Sequence, residues 1–312
     1  MYIPFTSKYE PKVIDDFQFP TGVSRTLVAV GTRARLNTLL IGPAGTGKTS
    51  IARAIGRTMG VSECDILSIN NVSENGINFF RNDVRTFCKS NATQKKKLVI
   101  IDDIDVVTEQ SQQVLRSTMD AFSHKTQFIA TATSEHRIVD GLVSRFTTVN
   151  IPRIEHSGMV AIMKNILEKE ATMISPIVCD FVLSTCNRCP RTLLSILDKL
   201  CLVGGNMSLE HCKKHCVAVD FTYFERLIQA IKDNRAKLAI DIADDMCAHG
   251  YSPLDILDGF FHALRLLPNI NDIQKYEATK ITARYVGTCH SCHTDRLHLR
   301  LFVLHIFNIF GC

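Results

Sequence analysis

The run Gly42-Pro43-Ala44-Gly45-Thr46-Gly47-Lys48-Thr49 has the spacing GxxxxGK[ST]. An apolar stretch precedes it and a helical pattern follows, which is the setting in which such a loop holds phosphate. The glycines let successive backbone N–H groups turn inward onto phosphate oxygens, and the helix beyond offers them its positive end. In that chemistry Lys48 reaches the β- and γ-phosphates and the Thr49 hydroxyl ligates magnesium. ATP with Mg2+ is the expected ligand, held by Gly42 through Thr49.

Further along, Leu98-Val99-Ile100-Ile101-Asp102-Asp103 is an apolar run ending in two carboxylates. In a P-loop enzyme the first acid, Asp102, supports the magnesium shell, and Asp103 orients or deprotonates the attacking water. Apolar strands often end in a solvated acid. It is the spacing after the phosphate loop that gives these two their meaning.

These groups need a rigid frame. Up to about residue 152, apolar runs at Thr38 to Ile41, Asp65 to Ile69, Lys97 to Asp102, Thr126 to Ala132 and Thr147 to Ile151 read as strands. Helical patterns at Lys48 to Met59, Ile77 to Cys88 and Glu109 to Phe122 lie between them, which predicts a parallel sheet covered by helices. Beyond Pro152 the strand signal stops. Amphipathic helices follow, broken at Pro176, Pro190, Gly204-Gly205, Gly250-Pro253 and Pro268. The expected division is an α/β domain at 1–152, a helical lid at 153–217 and a helical collar at 218–312.

The 312 residues are too many for one small core, and 46% hydrophobic with 21% charged is an ordinary globular composition. No basic-then-apolar leader opens the chain, and the apolar stretch Leu299 to Phe310 is short and interrupted by Arg300 and His305. An intracellular, non-membrane protein is expected. The formal charge of +5 tolerates a polyanionic partner without requiring one.

Several segments resemble the replication factor C small subunits of the AAA+ sliding-clamp loaders. Pro4-Phe5-Thr6-Ser7-Lys8-Tyr9-Glu10-Pro11-Lys12 is similar to their PWVEKYRPK entry. Asn70 through Arg85, with Glu74, Gly76, Ile77, Arg81 and Asn82, resembles NASDERGIxxVRNKIK. Gln113 through Asp120 is similar to QALRRTME, Ser144-Arg145-Phe146 falls at the SRC motif, and Pro190 through Leu197 resembles the DxRxALNxLQ lid helix. The likeness runs in consistent order from residue 4 to about 200.

The resemblance implies roles residue by residue. Thr133 falls at the first sensor of the γ-phosphate and Arg191 at the second. Arg145 falls at the arginine finger, a fixed cation acting on a neighbouring subunit's nucleotide. Thr6 and Glu10 sit where the family's N-terminal segment closes over base and ribose. Arg81, Arg85 and Arg116 fall where DNA phosphates are tracked. Arg81 and Arg85 are also four apart and share a helix face, for which a solvated basic face is the plain alternative. Four departures stand out: Asp103 replaces the family's Glu, Glu10 an Arg, Thr133 an Asn, and Ser117 an Arg. They leave the binding groups in place and leave open how fast this chain hydrolyses ATP.

The twelve cysteines are scattered and read mostly as packing thiols of a reducing compartment. Cys186/Cys189, Cys212/Cys216 with His211 and His215, and Cys289/Cys292 with His290 and His293 invite a zinc reading. They lie in different predicted helical regions, while zinc needs four converging ligands; Cys289/Cys292 is the best candidate. Only Cys64 and Cys88 lie between the phosphate loop and the acidic strand, unlike the cysteine cluster of bacterial clamp loaders. That implies the eukaryotic, archaeal or viral branch, at a nuclear or cytoplasmic replication site.

The resemblance implies an ATP-dependent clamp-loader small subunit in a pentameric assembly with sibling subunits, a sliding clamp and primer-template DNA. Two other readings stay open. One is a poorly hydrolysing structural subunit that donates Arg145, and the other is a different AAA+ DNA-remodelling ATPase such as a branch-migration motor.

Overall fold

The computed structural model describes residues 2–32, 36–70, 76–92, 96–170, 172, 174–203, 212, 219–266, 270–291 and 296–310. Five strands, β1 (Thr38–Ile41), β2 (Ile66–Ile69), β3 (Lys97–Ile101), β4 (Thr126–Ala132) and β5 (Thr147–Asn150), form one sheet in the order β2-β3-β4-β1-β5. Every pairing is parallel, so all five strands end on the same side of the sheet. Register places Ile41 beside both Ala132 and Asn150.

Residues two apart share a sheet face, and the two faces carry separate cores. Leu39, Val99, Ile101, Phe128 and Ala130 belong to one, and Leu40, Leu98, Ile100, Ile129 and Val149 to the other. Because both faces are covered, the central strands β3, β4 and β1 are buried on both sides along nearly their whole length.

In chain order the helices begin with the short α1 (Phe5–Lys8) and α2 (Thr21–Thr32). They continue with α3 (Lys48–Thr58) and a helix α4 that runs as Ile77–Phe79, a π-helical turn Phe80–Val84, and Arg85–Lys89. Then come α5 (Glu109–Phe122), α6 (Asp140–Val143) and α7 (His156–Lys169). Leu27, Ile51, Ala52 and Ile55 place α2 and α3 on the second face, while Phe80, Val84, Leu115, Met119 and Leu142 place α4, α5 and α6 on the first. The helix α3 lies so close to the sheet that a Cβ at Gly56 would come 2.7 Å from Leu98 Cδ2.

The remaining helices are α8 (Pro176–Thr185), α9 (Pro190–Val203), α10 (Phe221–Lys232), α11 (Ala236–Ala248), α12 (Pro253–Leu266), α13 (Asp272–Ser291) and α14 (Arg296–Phe310). Proline at the first position of α8, α9 and α12 suits a site whose N–H has no intrahelical partner. The N-cap of α10 is Asp220, which accepts from the Thr222 amide at 2.9 Å.

Two compact units emerge. One holds residues 1–172 with 188–195, and the other 173–187 with 196–312. The second is all helical among the described residues. Its core includes a chain of edge-on rings, Phe224 to Phe260 at 6.1 Å, Phe260 to Phe302 at 5.2 Å and Phe302 to Tyr285 at 5.6 Å. The expected lid–collar boundary at 217/218 lies outside the described residues.

Candidate nucleotide site

The loop from Gly42 to Gly47 leaves the end of β1 and enters α3. Glycine is required at Gly45 and Gly47 by left-handed backbone, with φ of +76° and +88°. At Gly42 the requirement is space, since a Cβ would lie 2.4 Å from the Ile151 carbonyl oxygen. Lys48 is buried, and its ammonium donates to the carbonyls of Gly42 (2.8 Å) and Pro43 (3.0 Å). Burial lowers its pKa, and the charges of Asp103, Asp102 and Asp105 oppose that shift. The Thr46 hydroxyl donates to the Pro43 carbonyl at 2.9 Å and braces the turn.

The acidic strand joins this loop directly. Thr49 Oγ1 donates to Asp102 Oδ1 at 2.7 Å, and Thr131 Oγ1 donates to the same oxygen at 2.5 Å. The Asp103 N–H donates to Thr131 Oγ1 at 3.0 Å. One buried hydroxyl on β4 therefore fixes both acids relative to the phosphate loop. Asp103 has φ 50° and ψ 56°, left-handed for a residue with a side chain. Although the residue as a whole is exposed, desolvation of its carboxyl and then the charge of Asp102 raise its pKa, against the pull of Lys48. The last acid, Asp105, accepts the amides of Thr133 (3.0 Å) and Ser134 (3.1 Å) through Oδ2.

Arg191 stands over the loop at the start of α9, its Cβ 3.7 Å from where a Cβ would stand on Gly45. Its charge is felt by both Lys48 and Asp103. Cys189 touches the same glycine, with Sγ 3.8 Å from the Gly45 carbonyl oxygen. Thr133 is exposed at the end of β4, on the side of the sheet where β1 ends.

Glu10 accepts from Ser50 Oγ at 2.9 Å and Arg53 Nη1 at 3.2 Å, so its carboxylate is engaged along α3. Arg53 thus balances the negative charge at this position. Thr6 is exposed on α1. That helix is tied at its end to Glu170, which accepts from Lys8 Nζ at 2.5 Å and from the Tyr9 hydroxyl.

The other sequence candidates lie elsewhere. Arg145 precedes β5 by two residues, at the opposite end of the parallel sheet from the loop that follows β1. A four-residue strand spans about 13 Å, so the guanidinium stands off from this chain's own phosphate loop. It pairs with Asp120 through two bonds, Nε to Oδ1 at 2.6 Å and Nη2 to Oδ2 at 2.8 Å, and also donates to the Gly141 carbonyl.

Arg81 and Arg85 are both exposed on α4, and Lys89 continues the row at the same interval. The end of that helix is anchored by Lys97, which donates to the Phe87 carbonyl at 2.7 Å and lies over the Phe87 ring. Arg116 is half-buried, with Nη1 3.0 Å from a Cβ built on Gly141. Of the cysteine pairs weighed for zinc, Cys216 and Cys292 with His211, His215 and His293 lie outside the described residues. Among the described residues no three His, Cys, Asp or Glu side chains cluster to hold a metal.

The contacts of Thr131, Asp105, Arg53 and Cys189 were not singled out from the sequence. Thr131 left a trace there, as a hydroxyl residue following the apolar run Phe128-Ile129-Ala130.

Residues 38–153 match the family described as ATPase family associated with various cellular activities (AAA). Over 280 residues the chain is 25% identical to replication factor C subunit 4 of Encephalitozoon cuniculi, covering 88% of each. Among solved structures, AMPPCP-bound DnaA from Aquifex aeolicus matches with a TM-score of 0.58 at 15% identity, over 95% of this chain and 97% of that one. A DNA polymerase III gamma subunit-related protein from Thermotoga maritima matches with a TM-score of 0.55 at 10% identity, over 92% and 99%. At these identities the two structures speak for the fold, an AAA+ sheet followed by helices.

Proposed function

We propose that the chain, which matches the AAA family over residues 38–153 and is 25% identical to a replication factor C subunit over 280 residues, acts as an ATP-hydrolysing small subunit of a replication factor C clamp loader. In this role it helps open a sliding clamp and place it on primer-template DNA, within a pentamer of sibling subunits. The observation that carries the reading is the Thr49–Asp102–Thr131–Asp103 hydrogen-bond chain. It couples the phosphate loop to two acids in one rigid unit.

Lys48 and the inward N–H groups of Gly45 through Thr49 bind the phosphates, with Arg191 above them. A hydroxyl from Thr49 and a carboxylate from Asp102 are hard oxygen donors suited to Mg2+, which keeps several waters of its own. Magnesium, when bound, supplies positive charge where the phosphates carry negative charge. Asp103 then orients the attacking water, and Thr133 monitors the terminal phosphate from the end of β4. We place this work inside the cell, in the nucleus, because the relatives' named role is DNA replication; they are cellular proteins and lend no support to a viral site.

Arg145 is assigned to a neighbouring subunit's nucleotide, since its own sheet separates it from the loop. Arg145→Ala is therefore expected to leave ATP affinity of the isolated chain within about twofold, while hydrolysis by the assembled complex falls on the order of a thousandfold at the affected site. Equilibrium ATP titration and single-turnover hydrolysis test this. Loss of ATP binding by the isolated variant would put Arg145 in the cis site and overturn the assignment.

Arg81 and Arg85 are assigned to DNA phosphates. Reversing both charges is expected to weaken DNA binding by the complex equally across sequences, and to lower the slope of log affinity against log salt by about 2. A changed sequence preference at constant slope would refute phosphate tracking. The function itself is tested by purifying the complex through a tag on this chain, measuring its mass, and assaying ATP-dependent clamp loading. A second reading, a structural subunit that binds nucleotide but scarcely turns it over, is favoured by one feature. Asp103 is a short acid where reach matters.

A further inference from the structure

We propose that Asp105 is a positioning residue that latches the Thr133–Ser134 turn to the acidic segment and so sets where the sensor residue stands relative to Asp103. The proposal rests on the ATPase reading of this site and deepens it.

Two stitches join the acidic segment to the end of β4. The first is Thr131, which accepts the Asp103 N–H and donates to Asp102. The second is Asp105, whose single oxygen Oδ2 takes the N–H groups of both Thr133 and Ser134 at 3.0 and 3.1 Å. Thr131 lies in β4 and Thr133 just beyond its end, so the two stitches fall on either side of the strand's last residue, Ala132. Asp105 itself sits in a tight turn, Ile104–Val106, anchored by the fully buried Ile104 and by Val107 at its end. The latch is therefore mounted on a fixed base, and the bonds it makes are of the stronger, charge-assisted kind.

Oδ1 of Asp105 makes no hydrogen bond among the described residues. The other oxygen is committed to two consecutive amides of the turn that carries the sensor residue. Thr133 is exposed and forms no part of either core, so packing alone does not fix it.

The test compares Asp105→Ala with Asp105→Asn in the complex purified through this chain, using the Lys48→Ala complex as the hydrolysis baseline. An amide oxygen can accept the same two N–H groups, so Asp105→Asn is expected to behave as the native chain. Asp105→Ala is expected to slow single-turnover hydrolysis on the order of ten- to a hundredfold, as misplacement near the reacting atoms does. ATP affinity should stay within about threefold, since no bond to the phosphates is removed. Hydrogen exchange of the Thr133–Ser134 amides should speed in Asp105→Ala and stay slow in Asp105→Asn. Native turnover in Asp105→Ala, or equal loss in both variants, would overturn the latch. Were the native complex to show no turnover above baseline, the ATPase reading would be the one to fail. The exchange contrast would then still decide the latch, and equal exchange in the two variants would overturn it.

Discussion

Replacing Lys48 by alanine is expected to weaken ATP binding about a hundredfold while leaving the fold standing. The ammonium is a buried point charge that donates to two loop carbonyls. Swinging it onto the β- and γ-phosphates exchanges neutral acceptors for charged ones, and hydrogen bonds to charged groups contribute about 1.5–3 kcal/mol each. Less the about 0.5–1.5 kcal/mol of each neutral bond given up, two such exchanges amount to about 2–3 kcal/mol, or roughly two powers of ten in affinity. The cost to the fold is smaller. Alanine leaves the Gly42 and Pro43 carbonyls short of a donor, a loss of about 1–3 kcal/mol for each group that water fails to reach. Against this, a desolvated charge disappears, and no apolar core contact of α3 is removed, because Ile51, Ala52, Ala54 and Ile55 form the buried stripe. Titration with a fluorescent ATP analogue, alongside a thermal melt, checks both halves. A folded variant with native ATP affinity would refute the phosphate-site assignment.

What could be read from the residues was mostly local. The bounds of β1, β4 and α5 agree with the reading from pattern, because each is a run of one period ended by a clear stop. The strand expected from Asp65 begins instead at Ile66, since Glu63–Asp65 closes a tight turn before it. The helix expected from Ile77 is present, but its π-helical turn left no mark in the apolar spacing. Phosphate loop and acids were legible because their chemistry dictates residue types at fixed spacing. The contacts that hold them were not. Thr131 meets Asp102 and Asp103 across 28 or 29 residues, Asp105 meets Thr133 across 28, and Glu10 meets Arg53 across 43. Such pairs depend on strand order and register, which periodicity does not carry. Glu10 shows the consequence. A reversed charge that looks misplaced beside a nucleotide is, in the fold, matched by an arginine on α3.

Asp103→Glu is expected to raise single-turnover hydrolysis by this subunit, and Asp103→Asn to lower it. A water-orienting carboxylate has to come within about 2.6–3.2 Å of the attacking water. The aspartate is one methylene shorter than the family's glutamate. A shortfall on the order of 1 Å near the reacting atoms can cost about a hundredfold, which is about 2.7 kcal/mol of barrier. The backbone pulls the other way. At φ 50° and ψ 56° residue 103 is left-handed, a conformation that aspartate tolerates better than glutamate because its short side chain bonds locally. The left-handed penalty is about 1–2 kcal/mol for an ordinary side chain, and only the part that separates Glu from Asp counts here. The Asp103 N–H is held by Thr131 and the next residue, Ile104, is fully buried, so the backbone should keep its shape in either variant. Reach therefore outweighs strain. Saturating ATP in a single turnover removes binding and product release from the comparison, and the Lys48→Ala complex supplies the contribution of the sibling subunits. Should Asp103→Glu run slower than the native chain while Asp103→Asn is dead, the left-handed backbone has been fitted to aspartate and the native site is already a competent base. Should neither substitution move the rate, this site holds nucleotide without turning it over, and hydrolysis belongs to its neighbours.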